Sequence, residues 1–226
     1  MMNRNEFEKS LSHPCEFWEH KTALDVAGLI GLHVARMVDY NQKNPHHCYN
    51  LFAHSLHTVE NIVESELLIK VAAFFHDIGK PDVAKEKDGR LVFYNHPAKS
   101  VAIAQPILKE MGYSLKEWQL ICFWIENHDD FINWDLSLVD DIPRRPNMVE
   151  INIANLTRHI KKYSNAAVFK NYQPAYVWKG LIELCRADSS AQAELVFKDG
   201  NLVNSKKKKL FRVETIMCLM EKFFEN

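Results

Sequence analysis

Two His-Asp dipeptides, His76-Asp77 and His128-Asp129, are the residues in this sequence that are best suited to chemistry. Each ends a strongly apolar stretch whose spacing predicts a helix. Imidazole and carboxylate groups are costly to bury there unless other polar groups pair with them. Adjacent helical residues point about 100° apart, so one dipeptide cannot chelate an ion alone, but both its side chains can line a cavity between helices. The dipeptides therefore predict a polar site that other helices complete.

Three further candidate donors lie on other predicted helices. His54 lies in the helix before His76, His96 begins a later helix, and Asp188 lies near the end of another. In a helical bundle, groups that are far apart in sequence can converge in the core. Mixed imidazole and carboxylate ligands suit Mn, Fe, Co, Ni or Zn better than Ca, whose sites are built from oxygen. We therefore expect one or two divalent transition metal ions, with Mg as a weaker substitute.

The elements that must position these donors are predicted to be helices. Only seven glycines occur in 226 residues, and the apolar residues mostly recur at intervals of three and four, which predicts an all-α chain. One helix is predicted over 22–40, beginning at the cap residue Thr22. Residues 51–63 and 66–79 are predicted to form a pair of helices with a very short connection.

The segment 85–95 departs from this helical pattern. Its Asp88-Gly89 turn lies among alternating apolar and polar residues, which predicts a small β-hairpin or an irregular insertion. Helices resume at Pro97, and Pro106 is expected to kink or split the first of them.

The second half of the chain is predicted to be helical around one long loop. Ser114 and Glu117 have the spacing of a capping box at a helix start. The loop spans 133–147, and helices follow it. The last helix is expected to pack on the bundle through apolar residues at helical spacing, which are Val213, Ile216, Leu219 or Met220, and Phe223.

Composition limits the class of protein. The formal charge is −1, so any phosphate recognition must come from a local cluster. The five cysteines are scattered with no Cys-x-x-Cys pair, which predicts reduced, mostly buried thiols in a cytoplasmic protein. The N-terminus does not resemble a signal peptide, and no apolar run is long enough to span a membrane. We expect a single domain over residues 1–226.

The order of six of these residues along the chain resembles the H…HD…H…H…D pattern of the HD-domain superfamily of metal-dependent phosphohydrolases; the six are His54, His76, Asp77, His96, His128 and Asp188. Four segments look like those of the HD domain in bacterial tRNA nucleotidyltransferases, the closest likeness within the superfamily: LFAHSLHTV, VAAFFHDIGKP, FYNHPAKSVAIA and LCRADS. The resemblance covers about residues 46–190. It implies an all-α HD-domain helical bundle with flanking helices in 1–45 and 191–226.

The resemblance also implies roles for particular residues. One ion would be held by His54, His76, Asp77 and Asp188, and a second ion, bridged by Asp77, would be held by His96 and His128. The ions would activate a water to attack phosphorus in line. Positive side chains would bind the substrate phosphate, namely Lys80, Arg144, Arg145 and Arg186. Lys80 lies one helical turn from His76 and would also protonate a leaving group.

Departures from the pattern argue against several branches of the superfamily. The sequence has no upstream Gly-Ser followed by Asp-x-Asp, so addition of CCA to tRNA is not expected. Asp77 is followed by IGKP rather than by a second acidic pair, which disfavours guanosine tetraphosphate hydrolysis. No Gly-Tyr-Pro follows His128, which disfavours cleavage of cyclic di-GMP. A nucleotide or a 2′,3′-cyclic phosphate is the substrate class that the resemblance favours.

Two alternative functions remain open at the level of sequence. A one-metal site without His96 and His128 would suit a nucleoside 5′-monophosphatase. A non-catalytic module would use the same ligands to bind a nucleotide or an RNA end, and SKKKKL at 205–210 either begins a solvated helix or contacts an RNA backbone.

The roles of several neighbouring polar residues are also open. His57 either supports a ligand or is solvated, and Asp129 either is a ligand or accepts a hydrogen bond from one. His46 and His47 either line the mouth of the pocket or face solvent.

Overall fold

The computed structural model of the chain describes residues 2–63, 66–129, 148–198 and 201–225. The first half of the described chain contains, in order, α1 (Arg4–Ser10), α2 (Pro14–Trp18), α3 (Ala23–Leu29), α4 (Leu32–Ala35), α5 (Leu51–Glu60), α6 (Leu67–Phe75), α7 (Lys80–Val83), β1 (Lys85–Lys87), β2 (Arg90–Val92) and α8 (His96–Glu110). The second half contains α9 (Leu115–Asn127), α10 (Met148–Tyr163), a 3₁₀ helix (Ala167–Lys170), α11 (Pro174–Ser190), β3 (Leu195–Lys198), β4 (Asn201–Asn204) and α12 (Ser205–Glu225). The prediction of an all-α bundle with a small β insertion is confirmed.

Helix α6 packs against three other helices, α5, α9 and α11. Its residues from Val71 to Phe75 are all buried, as expected of a helix that is apolar on every side. Gly180 allows α11 to approach α9, because a Cβ at this position would lie 2.3 Å from the indole of Trp124. This packing brings polar residues of several helices close to one another.

The flanking helices pack on the same core. The rings of Phe7 in α1 and Trp18 in α2 lie 5.1 and 5.9 Å, between centroids, from the ring of Phe74. Helix α12 contacts α11 and buries the predicted apolar residues Val213, Ile216, Leu219 and Met220. Buried apolar side chains therefore form one continuous set from α1 to α12.

Both small sheets are antiparallel hairpins. Strands β1 and β2 pair with Lys87 opposite Arg90, and the turn between them places Asp88 at φ 52° and Gly89 at φ 73°. Positive φ at both turn positions is the geometry that an Asp-Gly pair favours, so the hairpin prediction is confirmed. The hairpin of β3 and β4 was not predicted, although Asp199-Gly200 between apolar residues is a comparable signal.

The prediction of one helix over 22–40 is wrong. Thr22 caps α3 as expected, in a capping box with Asp25. The helix nevertheless ends at Leu29, because Gly31 takes a φ of 122°, which an α-helix cannot accommodate, and α4 starts after it.

Pro106 was expected to kink or split its helix, and it lies inside α8 without splitting it, since a proline removes only one backbone hydrogen bond. The prediction that most of the cysteines are buried is wrong. The five cysteines, all within the described residues, form no disulfide, but only Cys122 and Cys185 are buried.

The predicted loop over 133–147 lies outside the described residues. Among the described helices, none is both long and apolar enough to cross a membrane.

A salt bridge connects α1 to the start of α9. Arg4 donates hydrogen bonds to both carboxylate oxygens of Glu117, at 2.8 and 3.2 Å, and Glu117 completes the capping box predicted with Ser114. The hydrogen bonds from Arg4 lower the pKa of Glu117 to about 2. A carboxylate with a depressed pKa contributes stability above its unfolded pKa and loses that contribution as the pH falls toward its folded pKa.

Glu117→Gln is expected to lower the free energy of unfolding by about 1 kcal/mol at neutral pH, because the bidentate pair is only partly screened by solvent. Urea unfolding of the wild type and of Glu117→Gln should show a smaller difference in the free energy of unfolding at about pH 4. At that pH the Glu117 carboxylate of the unfolded chain is already partly protonated. Glu110→Gln, at an exposed position in α8, controls for the loss of one negative charge. An equal difference in the free energy of unfolding at both pH values would contradict the lowered pKa of Glu117 in the folded protein.

Candidate metal centre

The structure brings all six predicted donors together. His54 lies within α5, and Asp188 lies in the last turn of α11. The other four stand at helix ends: His76 and Asp77 directly after α6, His96 at the start of α8, and His128 directly after α9. All six are buried. Five helices therefore contribute to one buried polar cluster.

Asp77 lies between two groups of donors. Its Oδ2 is 3.2 Å from Nε2 of His76 and 3.6 Å from Nε2 of His54. Its Oδ1 is 3.1 Å from Nε2 of His96 and 3.7 Å from Nε2 of His128. One carboxylate thus presents a different oxygen to each pair of imidazoles, which is the arrangement of a ligand shared between two ions.

Asp188 completes the first group. Its Oδ1 lies 2.9 Å from Nε2 of His54 and 3.7 Å from Nε2 of His76. Asp129, which directly follows His128, lies beside the second group, with Oδ2 3.4 Å from Nε2 of His96 and Oδ1 3.9 Å from Nε2 of His128. Each group therefore has two imidazoles, one oxygen of Asp77 and a further carboxylate within reach.

The backbone orients the four imidazole rings. Nδ1 of His76, His96 and His128 lies 2.7, 2.9 and 2.7 Å from the carbonyl oxygen of the residue three positions earlier. Nδ1 of His54 faces the carbonyl of Ala191 at 3.4 Å. A proton on Nδ1 that is donated to a carbonyl leaves Nε2 with a lone pair. All four Nε2 atoms face the cluster, where each would bind a metal ion in place of a proton.

Charge in the cluster favours a cation at its centre. Burial alone would raise the pKa of Asp77, but the positive charges of His76 and Lys80 hold it well below its usual range. Burial also opposes ionisation of Asp188, and the neighbouring imidazoles of His54 and His76 hold its pKa low. Burial lowers the pKa of His76, but the carboxylates of Asp77 and Asp188 outweigh that effect and raise it to about 10. Both carboxylates are therefore ionised although they are buried.

The donor set fits divalent transition metal ions. Nε2 of His54, Nε2 of His76 and Oδ1 of Asp77 are buried without a hydrogen bond of acceptable geometry. Buried polar atoms without such a bond are rare in folded proteins. Two overlapping sets of donors, each with its ligand atoms within 4.8 Å of one another, fit a metal: His54, His76 and Asp77, and Asp77, His96 and His128. Imidazole nitrogen mixed with carboxylate oxygen suits a transition metal better than calcium.

Lys80 is held inside the site. Its Nζ lies 2.6 Å from Oδ2 of Asp77 and donates a hydrogen bond to Oε1 of Gln42 at 3.1 Å. The side chain is 7% exposed, and Nζ lies 5.4 Å from the centre of the Phe93 ring. The Lys80 ammonium group, which the sequence predicted to bind a phosphate, is therefore directed at the Asp77 carboxylate.

A cavity of about 620 Å³ opens onto the cluster. Asp77, His96, His128 and Asp188 form part of its wall. Side chains outside the cluster also line it, and those that suit a phosphorylated ligand are His46, His47, Arg90, Phe93, Tyr94 and Lys209. Of these, the sequence had indicated His46 and His47 for the pocket mouth, and Lys209 only as part of the SKKKKL segment. Arg90 was missed because nothing local distinguishes it from other surface cations.

Arg186, another predicted phosphate-binding cation, does not line this cavity. Arg186 donates hydrogen bonds to both carboxylate oxygens of Glu183 and to the carbonyl of Asn61, and it is absent from the described residues that line the cavity. Its guanidinium is engaged in joining α11 to the end of α5, so the structure does not support a role for Arg186 in binding substrate. Arg144 and Arg145 lie outside the described residues. His57 faces α2 and contacts Cys15.

Comparison with known families agrees with this geometry. The family model for the HD domain matches residues 46–166, more than half of the 226-residue chain. The chain therefore belongs to the HD domain family, whose members are typically metal-dependent phosphohydrolases. A search of curated proteins finds no match. Asp188 lies beyond the matched segment, and the likeness to tRNA nucleotidyltransferases stays a prediction.

Proposed function

We propose that this protein hydrolyses a phosphate ester, and that the substrate is a nucleotide or a 2′,3′-cyclic phosphate. Two divalent ions would be held around Asp77. The main support for the proposal is that the two oxygens of the Asp77 carboxylate face different pairs of imidazoles. These groups lie on the wall of an open cavity. Such ions supply polarisation of a phosphoryl oxygen and activation of a water near neutral pH. A one-metal site would leave His96 and His128 without a function.

The cavity suits a nucleotide in size and lining. Its volume of about 620 Å³ lies within the range of about 300–1,000 Å³ that is usual for small-ligand sites. Arg90 and Lys209 supply positive charge for a phosphate, and Phe93 and Tyr94 supply apolar surface for a base or sugar. Lys80 donates from the buried side, where it neutralises charge on Asp77 and on a phosphate oxygen beside it.

The experiment is hydrolysis by metal-stripped protein to which Mn, Ni, Co, Zn or Mg is restored one at a time. The panel is bis-para-nitrophenyl phosphate, 2′,3′-cyclic AMP and the nucleoside 5′-monophosphates. Turnover that depends on the restored metal, with a preference for one nucleotide class, is expected. Preference for the cyclic or diester substrates supports a phosphodiesterase, and preference for the 5′-monophosphates supports a monophosphatase.

Arg90→Met and Lys209→Met test the part of the proposal that concerns the cavity. Each is expected to raise KM for the preferred nucleotide more than it lowers kcat, because neither residue contacts the donor cluster. Lys208→Met, an exposed neighbour in the same lysine run, is the matched control. Folded protein that binds metal but turns over no member of the panel would contradict the proposed activity and favour a nucleotide-binding module.

A further inference from the structure

A second group of metal-binding side chain types lies between α2 and α5. Cys15 is in α2, and His57 and Glu60 are three residues apart in α5. The two helices pack against each other. The group does not share any residue with the cluster around Asp77, and nothing in the proposed hydrolysis uses it.

The three side chains converge on one point. Nδ1 of His57 lies 3.7 Å from Sγ of Cys15 and 3.3 Å from Oε2 of Glu60. The three ligand atoms all lie within 4.8 Å of one another. The ring of Tyr49 packs on the ring of His57, with 4.2 Å between centroids and 31° between planes, and so holds the imidazole in this orientation.

The types of ligand indicate which metal would bind. A thiolate, an imidazole and a carboxylate together suit zinc, whereas magnesium and calcium select oxygen ligands. A surface cavity of about 600 Å³, lined by Cys15, His57 and Glu19 among others, gives access to the group. Glu19 follows Cys15 by one helical turn, at the C-terminal end of α2, and its charge acts on the Cys15 thiol.

We propose that Cys15, His57 and Glu60 bind one zinc ion at a site separate from the HD centre, with the fourth position taken by water or by Glu19. The ion would link α2, which lies outside the segment matched by the family model, to α5, which also carries His54 of the HD centre. Burial and the Glu60 carboxylate raise the pKa of the Cys15 thiol to about 12, so zinc must displace a thiol proton as it binds.

Cobalt substitution separates this site from the HD centre, because only the proposed site contains a thiolate. Reduced full-length protein, stripped of metal, is titrated with Co²⁺, and the near-ultraviolet thiolate-to-cobalt charge-transfer band is recorded. The band is expected in the wild type and in Cys48→Ala, which removes an exposed cysteine, and it is expected to disappear in Cys15→Ala. Cobalt bound only by the imidazoles and carboxylates of the HD centre does not produce this band.

Glu60→Gln gives a second test at an exposed position where the fold is not at risk. Zinc affinity at the site, measured by competition against the cobalt band, is expected to fall at least about 10-fold. A wild type without the band at saturating Co²⁺, or a band that survives Cys15→Ala, would overturn the proposal. Unchanged affinity in Glu60→Gln would also overturn it, because the site would then lack its carboxylate ligand.

Discussion

Asp77→Asn is expected to abolish tight binding of both ions and to lower phosphate-ester hydrolysis about 10³-fold. The reason is that Oδ2 of Asp77 faces His54 and His76 while Oδ1 faces His96 and His128, so one substitution removes a negatively charged ligand from both groups. Metal per chain, measured by mass spectrometry after gel filtration in the Cys15→Ala background so that only the HD centre is counted, should fall from two toward zero.

A contrasting variant separates the bridging role from a general loss of ligands. His96→Ala removes a ligand from the second group only, so it is expected to lose one ion and keep the other. If Asp77→Asn retained one ion as tightly as His96→Ala does, Asp77 would not be shared between the two groups.

Stability must be controlled in the Asp77 experiment. Asparagine leaves the buried Lys80 without its carboxylate partner at 2.6 Å, and removing one member of a buried ion pair costs about 3 kcal/mol or more. The double variant Asp77→Asn, Lys80→Met removes the unpaired charge, so it is expected to recover much of the thermal stability. It should still bind no metal at the HD centre, which would show that the loss of metal there is not a consequence of unfolding.

Gly79→Ala is expected to lower the free energy of unfolding by about 3 kcal/mol. A Cβ on Gly79 would lie 2.5 Å from the backbone nitrogen of Ser100 and 2.8 Å from the carbonyl oxygen of His96. Both atoms belong to the backbone of the first turns of α8, so α8 itself must move. Gly79 also donates a hydrogen bond from its backbone nitrogen to Oγ of Ser100 at 2.9 Å, and that bond would be strained.

The same displacement should weaken the second group of ligands, because α8 carries His96. A functional site tolerates shifts of only about 0.5 Å in its ligands, so binding of the second ion is expected to fall more than binding of the first. Denaturant unfolding and calorimetric metal titration measure the two effects.

Gly28→Ala is the matched control for Gly79→Ala. Nothing lies within 4 Å of a Cβ at Gly28 in α3, and replacing a helical glycine by alanine is expected to stabilise by about 0.5–1 kcal/mol. The two substitutions should therefore have opposite signs. A Gly79→Ala protein as stable as the wild type would mean that close approach of α8 is not what requires glycine there.

The identity of the candidate ligands was predictable from the sequence. A histidine or aspartate at the end of an apolar helix has a burial cost that only polar partners can offset, and this cost is visible locally at His76, Asp77 and His128. Caps and turns were also predictable where they depend on neighbours in sequence, as at Ser114 and at Asp88-Gly89. The break at Gly31 was missed because helical spacing continues through it while the backbone does not.

Contacts between elements were decided only by the tertiary structure. Sequence indicates the type of a side chain and its direction on its own helix, but which atoms it meets depends on how the whole core packs. Packing placed Lys80 beside Gln42 and Arg186 on the carbonyl of Asn61. It also brought Arg90 and Lys209 to the cavity.

By itself, therefore, the sequence determined an all-helical chain with metal-binding residues at the ends of its apolar helices, because helical periodicity and the cost of burying polar groups are local properties. Only the tertiary structure decided that the two oxygens of Asp77 face different pairs of imidazoles, and that Cys15 meets His57. Those contacts depend on the packing of α2, α5, α6, α8 and α9, and no short stretch of the chain encodes that packing.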